Sequence, residues 1–197
     1  MTRDKPDSDN RRVIIDLSWP AKASVNYFHK DNVYLQTVYK LQYPTIDSIT
    51  HHLTKLGKGT LLYKVDLSRA FRQLPIDPHD YDLLALRWKD SYYCDLFTAF
   101  GFKEGSQFCS RLTDLFRYLM FKQNYTVFTY IDDTVGCGDT GTAWAGFEYL
   151  KYLLREFNFP ISPRKLVSPS TVVNCLGIII DTVKQTVSIP DNKQKEM

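Results

Sequence analysis

The sequence is poor in cysteine: four in 197 residues, Cys94, Cys109, Cys137 and Cys175, with no C-x-x-C pair among them. That removes zinc ribbons and thioredoxin-type redox motifs. It predicts free thiols in a reducing, intracellular compartment, with nucleus and cytoplasm both open. No apolar stretch approaches the ~20 residues of a membrane span, and residues 1–6 carry no apolar leader. A soluble chain with no membrane partner is the expectation. Glycine and proline, nine each, are too few for a collagenous or low-complexity chain. Glutamate is scarce, 4 against 18 aspartates. Aspartate favours turns, caps and hard-cation sites, so the imbalance predicts many turns, metal work, or both. What the chain does hold is 44% hydrophobic and 14% aromatic residues, enough for a core. A net charge of +3 permits an acidic partner without demanding one.

Val13-Ile14-Ile15 predicts a short strand. Ile46, Ile49, Leu53 and Leu56 predict a helix opened by Pro44-Thr45 and closed by Gly57. Residues 61–65 read as a buried strand ending at Asp66, and residues 92–97 as another strand. Phe108, Leu112, Leu115, Phe116 and Leu119 form a helical stripe of core type. Residues 127–131 predict a strand and Thr134-Val135 start the next, so Asp132-Asp133 falls at a hairpin. Trp144, Phe147, Leu150, Leu154 and Phe157 predict a helix that stops before Pro160, and residues 172–173 and 176–180 closing strands. Residues 18–43 show no usable period. Incomplete alternation plus a hairpin predicts an α+β fold, a mostly antiparallel sheet packed on helices.

Asp66, Asp132 and Asp133 each stand at a strand end. Alternate side chains of a strand point to opposite faces, so one of the adjacent pair can share a site with Asp66 while the other flanks it. Clustered carboxylates repel and raise each other's pKa; divalent cations turn that cost into a phosphoryl-transfer site. The pair alone carries little weight, because aspartate also suits turns. Its context is an aromatic strand before it, a second strand-end aspartate upstream, and Phe71 five residues after that one.

Val65-Asp66-Leu67-Ser68-Arg69-Ala70-Phe71 resembles motif A of reverse transcriptases, Phe100-Gly101-Phe102 their motif B turn, and Tyr130-Ile131-Asp132-Asp133 their motif C box. Pro163-Arg164-Lys165-Leu166 and Cys175-Leu176-Gly177-Ile178 are similar to motifs D and E, and residues 5–18 to the fingers strand. Order and spacing fit over about residues 5–195, with a retrotransposon flavour of the DIRS-like kind. The resemblance implies a right-hand palm with partial fingers. Residues 1–60 and 75–98 would form the fingers elements and residues 61–74 and 99–190 the palm, with the thumb absent. It implies RNA-directed DNA polymerisation: dNTPs added to a primer 3′-hydroxyl on an RNA or DNA template, with two Mg²⁺ ions (Mn²⁺ also suits). Asp66 and Asp132 would ligate the ions with the Leu67 carbonyl, and Asp133 would support the edge. Phe71 would be the steric gate against ribose. Lys5 and Arg12 would hold the triphosphate, Phe100 and Gly101 would line the nucleotide pocket, and Lys165 would protonate pyrophosphate. Leu176-Gly177 would belong to the primer grip. Thumb and RNase H regions would belong to a longer parent polyprotein.

Each assignment has a plainer alternative: Phe71 as core packing, Lys165 as a surface lysine, Lys5 and Arg12 as a solvated basic segment. Motif B here begins with Ala99 where the family usually has proline, and Gly105-Ser106-Gln107 stands where a second proline is usual. The rival readings are a catalytically inactive retroelement remnant that binds nucleic acid or protein, and a metal-dependent phosphodiesterase. Gly57-Lys58-Gly59-Thr60 lacks phosphate-loop spacing and predicts a turn, and His51-His52 predicts surface histidines.

Overall fold

The computed structural model describes residues 2–3, 12–28, 33–34, 37–38 and 41–191. In chain order its elements are β1 (Thr2–Arg3), β2 (Arg12–Val13), α1 (Val25–Phe28), β3 (Val33–Tyr34), β4 (Thr37–Val38), α2 (Ile46–Leu56), β5 (Leu61–Asp66), β6 (Ala85–Trp88), β7 (Ser91–Cys94), α3 (Gly105–Lys122), β8 (Thr126–Tyr130), β9 (Asp133–Gly138), α4 (Thr140–Glu156), β10 (Val167–Ser170), β11 (Val172–Cys175), β12 (Ile178–Asp181) and β13 (Thr186–Ser188). The fold is α+β with antiparallel sheets, as the sequence predicts. It divides into a sheet unit, residues 42–68 and 110–197, and a ribbon unit, residues 1–41 and 69–109. Among the described residues no helix is long and apolar enough to cross a membrane.

The sheet unit is built on four antiparallel strands in the order β10-β5-β9-β8. Its centre, β5, is buried on both faces, which its unbroken Leu-Leu-Tyr start foreshadows. On one face Leu62 packs with Ile49 and Leu53 of α2, Val135 and Cys137 of β9, and Cys175 of β11. Fully burying one such side chain contributes about 2 kcal/mol. On the other face the Tyr63 ring stands edge-on to Phe147 of α4, 5.7 Å between centroids. Glycine at 136 is what admits that ring: a Cβ there would lie 2.0 Å from Tyr63 Cζ. Helix α2 starts and stops where predicted. Thr45 accepts from the Ser48 amide and Gly57 leaves the helix at φ 98°. Residues 57–60 form the expected turn between α2 and β5. His52 departs from expectation, being half-buried with its ring edge-on to Phe128. Strands β11-β12-β13 form a separate antiparallel meander.

Among its described residues the ribbon unit holds three two-stranded antiparallel ribbons, β1–β2, β3–β4 and β6–β7. Its small core is Leu17, Leu84 and Ala99, with Ile15, Val25, Ile76 and Phe102 against it. The strand expected at residues 13–15 stops at Val13. The Ile15 amide instead donates to the Phe100 carbonyl at 2.9 Å, joining a turn rather than a ladder. The strand expected at residues 92–97 stops at Cys94. Asp95 then turns to receive the Arg72 guanidinium at 2.6 Å, and the Leu96 carbonyl accepts from Ile76.

Candidate active site

Asp66 is the last residue of β5 and Asp133 the first of β9, and the two are direct register partners. The β8–β9 turn has a two-residue loop, Ile131-Asp132, between the paired Tyr130 and Asp133. Ile131 sits at φ 54°, a conformation that a β-branched residue adopts only under strain. Backbone bonds stitch three segments together at this end of the sheet. Leu67 donates to the Asp132 carbonyl (3.1 Å), Ser68 to Pro160 (2.7 Å) and Ser162 to Asp66 (2.8 Å). The acidic residues are therefore held by paired main chain.

Asp66 is 1% exposed. Burial first, and then the neighbouring Asp133 carboxyl, raise its pKa to about 6; a hydrogen bond and the charge of Lys165 pull the other way, and the charge of Asp132 adds to the rise. The Lys165 ammonium donates to Asp66 Oδ2 at 2.6 Å. Burial would lower the Lys165 pKa, but Asp66, Asp132 and Asp133 together raise it, so the amine stays charged. Asp133 Oδ2 accepts from Lys64 Nζ at 3.0 Å, and its Oδ1 is buried with no hydrogen-bond partner. Asp132 is half-buried and acts on Asp66 through charge alone. The carboxyl within hydrogen-bonding reach of Asp66 is thus that of Asp133. Lys64 was not anticipated. Its one signal was a lysine two residues before Asp66, inside an otherwise buried strand.

In the ribbon unit, Phe71 and Phe100 come together, ring centroids 5.1 Å apart and planes tilted 37°. Phe71 lies over the first turn of α3, beside Gly105 and Thr98. Gly101 sits at φ 110°, and a Cβ there would meet the Ile15 carbonyl oxygen at 1.9 Å, so only glycine serves. Asn26 clamps this turn, donating to the Gly101 carbonyl and accepting from the Lys103 amide, both at 2.9 Å. Ala99, in the usual proline position, is buried in the unit's core. Arg12 lies in β2 opposite Arg3. Lys5 lies outside the described residues.

The family model for reverse transcriptase (RNA-dependent DNA polymerase) matches residues 4–180. The chain belongs to the reverse transcriptase family. No curated protein matches the sequence. Among solved structures, the reverse transcriptase domain is similar in fold to the foamy viral protease-reverse transcriptase dRH in complex with double-stranded DNA. That match has TM-score 0.67 and 21% identity, and covers 99% of this chain and 31% of that one. The prototype foamy virus protease-reverse transcriptase CSH mutant gives TM-score 0.65 at 20% identity, covering 96% and 22%. The foamy viral enzyme in complex with RNA/DNA hybrid gives TM-score 0.61 at 20% identity, covering 99% and 24%. The domain therefore spans less than a third of the length of each of these neighbours.

Reverse transcriptases use divalent metal ions, and the donor set here fits one. Among the described residues, no three His, Cys, Asp or Glu side chains converge tightly enough to hold a metal unaided. Mg²⁺, however, is usually bound by one or two carboxylates, completed by water and substrate phosphates. The Asp66–Asp133 edge offers one buried carboxyl, Asp66, and one half-buried, Asp133, whose Oδ1 atom is buried without a hydrogen-bond partner.

Proposed function

We propose that this chain is the nucleotide-adding part of an RNA-directed DNA polymerase, extending a primer 3′-hydroxyl with dNTPs on an RNA or DNA template. The observation that carries the reading is the register pairing of Asp66 with Asp133 at one end of the central sheet, within a chain of this family. Asp66 and Asp132, with the main-chain carbonyl of Leu67, bind two Mg²⁺ ions, Mn²⁺ being a substitute, and Asp133 supports the edge of the site. A divalent cation there supplies a Lewis acid that activates the hydroxyl and offsets charge on the phosphates. Lys165 carries a proton on Nζ, 2.6 Å from Asp66, ready for the leaving pyrophosphate. Phe71 closes the sugar side against a 2′-hydroxyl, with Phe100 and Gly101 beside it. Arg12 and Lys5 hold the triphosphate, for which a guanidinium fork and an ammonium are suited.

In this reading residues 1–60 and 75–98 form the fingers elements and residues 61–74 and 99–190 the palm. Template and primer are gripped mainly through phosphates, so binding weakens with salt. The chain acts inside the cell, as one part of a retroelement polyprotein that supplies the remaining regions. Primer extension on an RNA template with Mg²⁺ tests the proposal. Incorporation by the parent chain and its loss in Asp66→Asn support it. Equal incorporation by both refutes it. Because no group of three His, Cys, Asp or Glu side chains among the described residues is placed to hold a metal ion unaided, a second reading stands: an inactive remnant that binds a primer–template duplex without extending it.

A further inference from the structure

The turn at residues 99–103 leads into helix α3, and no proline stiffens it. Residues 79–159 contain none, and Gly101 puts the most flexible residue at the turn's centre. Its closing bond, from the Phe102 amide to the Ala99 carbonyl, is long at 3.3 Å. The shape of the turn is imposed instead from residues 15–26. The Ile15 amide donates to the Phe100 carbonyl at 2.9 Å. Asn26 Nδ2 donates to the next carbonyl, that of Gly101, and Asn26 Oδ1 accepts from the Lys103 amide, both at 2.9 Å. Asn26 is itself anchored, since Nδ2 also donates to Ser18 Oγ at 2.9 Å and its main-chain amide to the Leu17 carbonyl at 3.0 Å. Both halves of one planar side-chain amide thus grip the turn, the donor on a carbonyl and the acceptor on an N–H two residues later. The ring held by this arrangement is that of Phe100, 5.1 Å from Phe71.

We infer that Asn26 is a positioning residue for nucleotide selection: its side-chain amide holds the 99–103 turn so that the Phe100 ring stays against Phe71. This rests on the reading of Phe71, Phe100 and Gly101 as the lining of the nucleotide pocket. Asn26 touches the main chain of the turn and acts on the nucleotide through Phe100 and Phe71. A merely structural role predicts fewer folded molecules, each with an unaltered pocket. The half-saturating dNTP concentration and the preference for dNTP over rNTP, which every folded molecule carries, then do not change. A positioning role moves both. Two neutral hydrogen bonds to the turn are at stake, the equivalent of about tenfold in nucleotide affinity.

The test is single-turnover incorporation of dCTP and of CTP into a primer–template with Mg²⁺, measured against nucleotide concentration, by the full chain as parent, Asn26→Ala, Asn26→Asp and Phe71→Ala. Asn26→Ala is expected to raise the half-saturating dCTP concentration by about tenfold. It is also expected to raise CTP incorporation relative to dCTP by about threefold, part of the shift expected on removing the Phe71 ring. Asn26→Asp keeps the size of the side chain and can still accept from the Lys103 amide, but it offers the Gly101 carbonyl no donor. It is expected to shift both quantities in the same direction, with the parent's circular dichroism spectrum, and it carries the test if Asn26→Ala folds poorly. An unchanged half-saturating concentration or an unchanged sugar preference in both Asn26 variants, with Phe71→Ala still shifted, overturns the inference and leaves the pocket intact. Two unfolded Asn26 variants assign the residue to the stability of the ribbon unit and overturn the inference as well. A parent chain that incorporates no dCTP, or a Phe71→Ala variant with the parent's sugar preference, removes the pocket and the inference with it.

Discussion

The sheet unit and the ribbon unit solve different problems with the same alphabet. The sheet unit pairs four strands, buries its central one on both faces, and uses that stiffness to hold Asp66 against Asp133. Among its described residues the ribbon unit has no strand longer than four residues, and a two-stranded ribbon is marginal by itself. There the aromatic contact of Phe71 with Phe100 depends on turns, on Gly101 and on the Asn26 clamp. Like charges in contact need a rigid frame and counter-charges, here Lys165 on Asp66 and Lys64 on Asp133. An aromatic surface needs only to be presented, and turns suffice for that.

Substitutions can break this contrast or sharpen it. The largest effect is expected from Asp66→Asn: primer extension should fall by roughly a thousandfold, the scale of several kcal/mol of charge stabilisation. Its circular dichroism spectrum should match the parent's, and an unfolded spectrum would make the loss uninformative about chemistry. Next comes Leu62→Ala, which empties the best-buried face of the sheet unit. It should lower unfolding stability by about 3 kcal/mol in a urea titration; a cost below about 1 kcal/mol would show a core looser than its burial implies.

Acid–base behaviour should separate the units as well. The Asp66 pKa is raised to about 6, so the folded chain holds a proton that the unfolded chain has already released. Stability is full below the ordinary carboxyl range and falls as pH rises from about 4 to about 6, by up to about 3 kcal/mol. Melting of the metal-free chain across that window should show the decline, and Asp66→Asn should flatten it. A slope that survives the substitution would place its origin elsewhere.

In the ribbon unit the effects shrink. Phe71→Ala should raise rNTP incorporation relative to dNTP by about tenfold, the discrimination one lost pocket contact typically carries. An unchanged ratio in single-nucleotide extension would leave Phe71 as packing for Phe100 and nothing more. Smallest of all is Trp88→Ala, on an exposed ribbon face: its unfolding midpoint should correspond to a change within about 0.5 kcal/mol. A larger loss would mean the ribbon contributes more to its unit than its exposure suggests.

Much of the sheet unit was readable from the chain. The stripe Ile46, Ile49, Leu53, the cap at Thr45 and the stop at Gly57 gave α2, because caps and periodicity are local. The aromatic run before Asp132 gave the β8–β9 hairpin for the same reason. Strand β10 escaped notice because Pro169 lies inside it. Proline is tolerated there only at the sheet edge, where β10 turns out to be, paired to β5 through an irregular register. The ribbon unit was harder to read. Ile15 satisfies its amide on Phe100, 85 residues away, and no local pattern announces such a bond.

The sequence by itself determined which residues could carry charge chemistry, and that two strand ends would present them, since alternation and turn propensity act over a few residues. Only the tertiary structure decided which aspartate meets Asp66. That choice belongs to strand register, and register is set by the pairing of β5 with β9 across some 70 residues of chain. A one-residue slip would turn every side chain of β9 to the other face and take Asp133, with its tie to Lys64, away from Asp66.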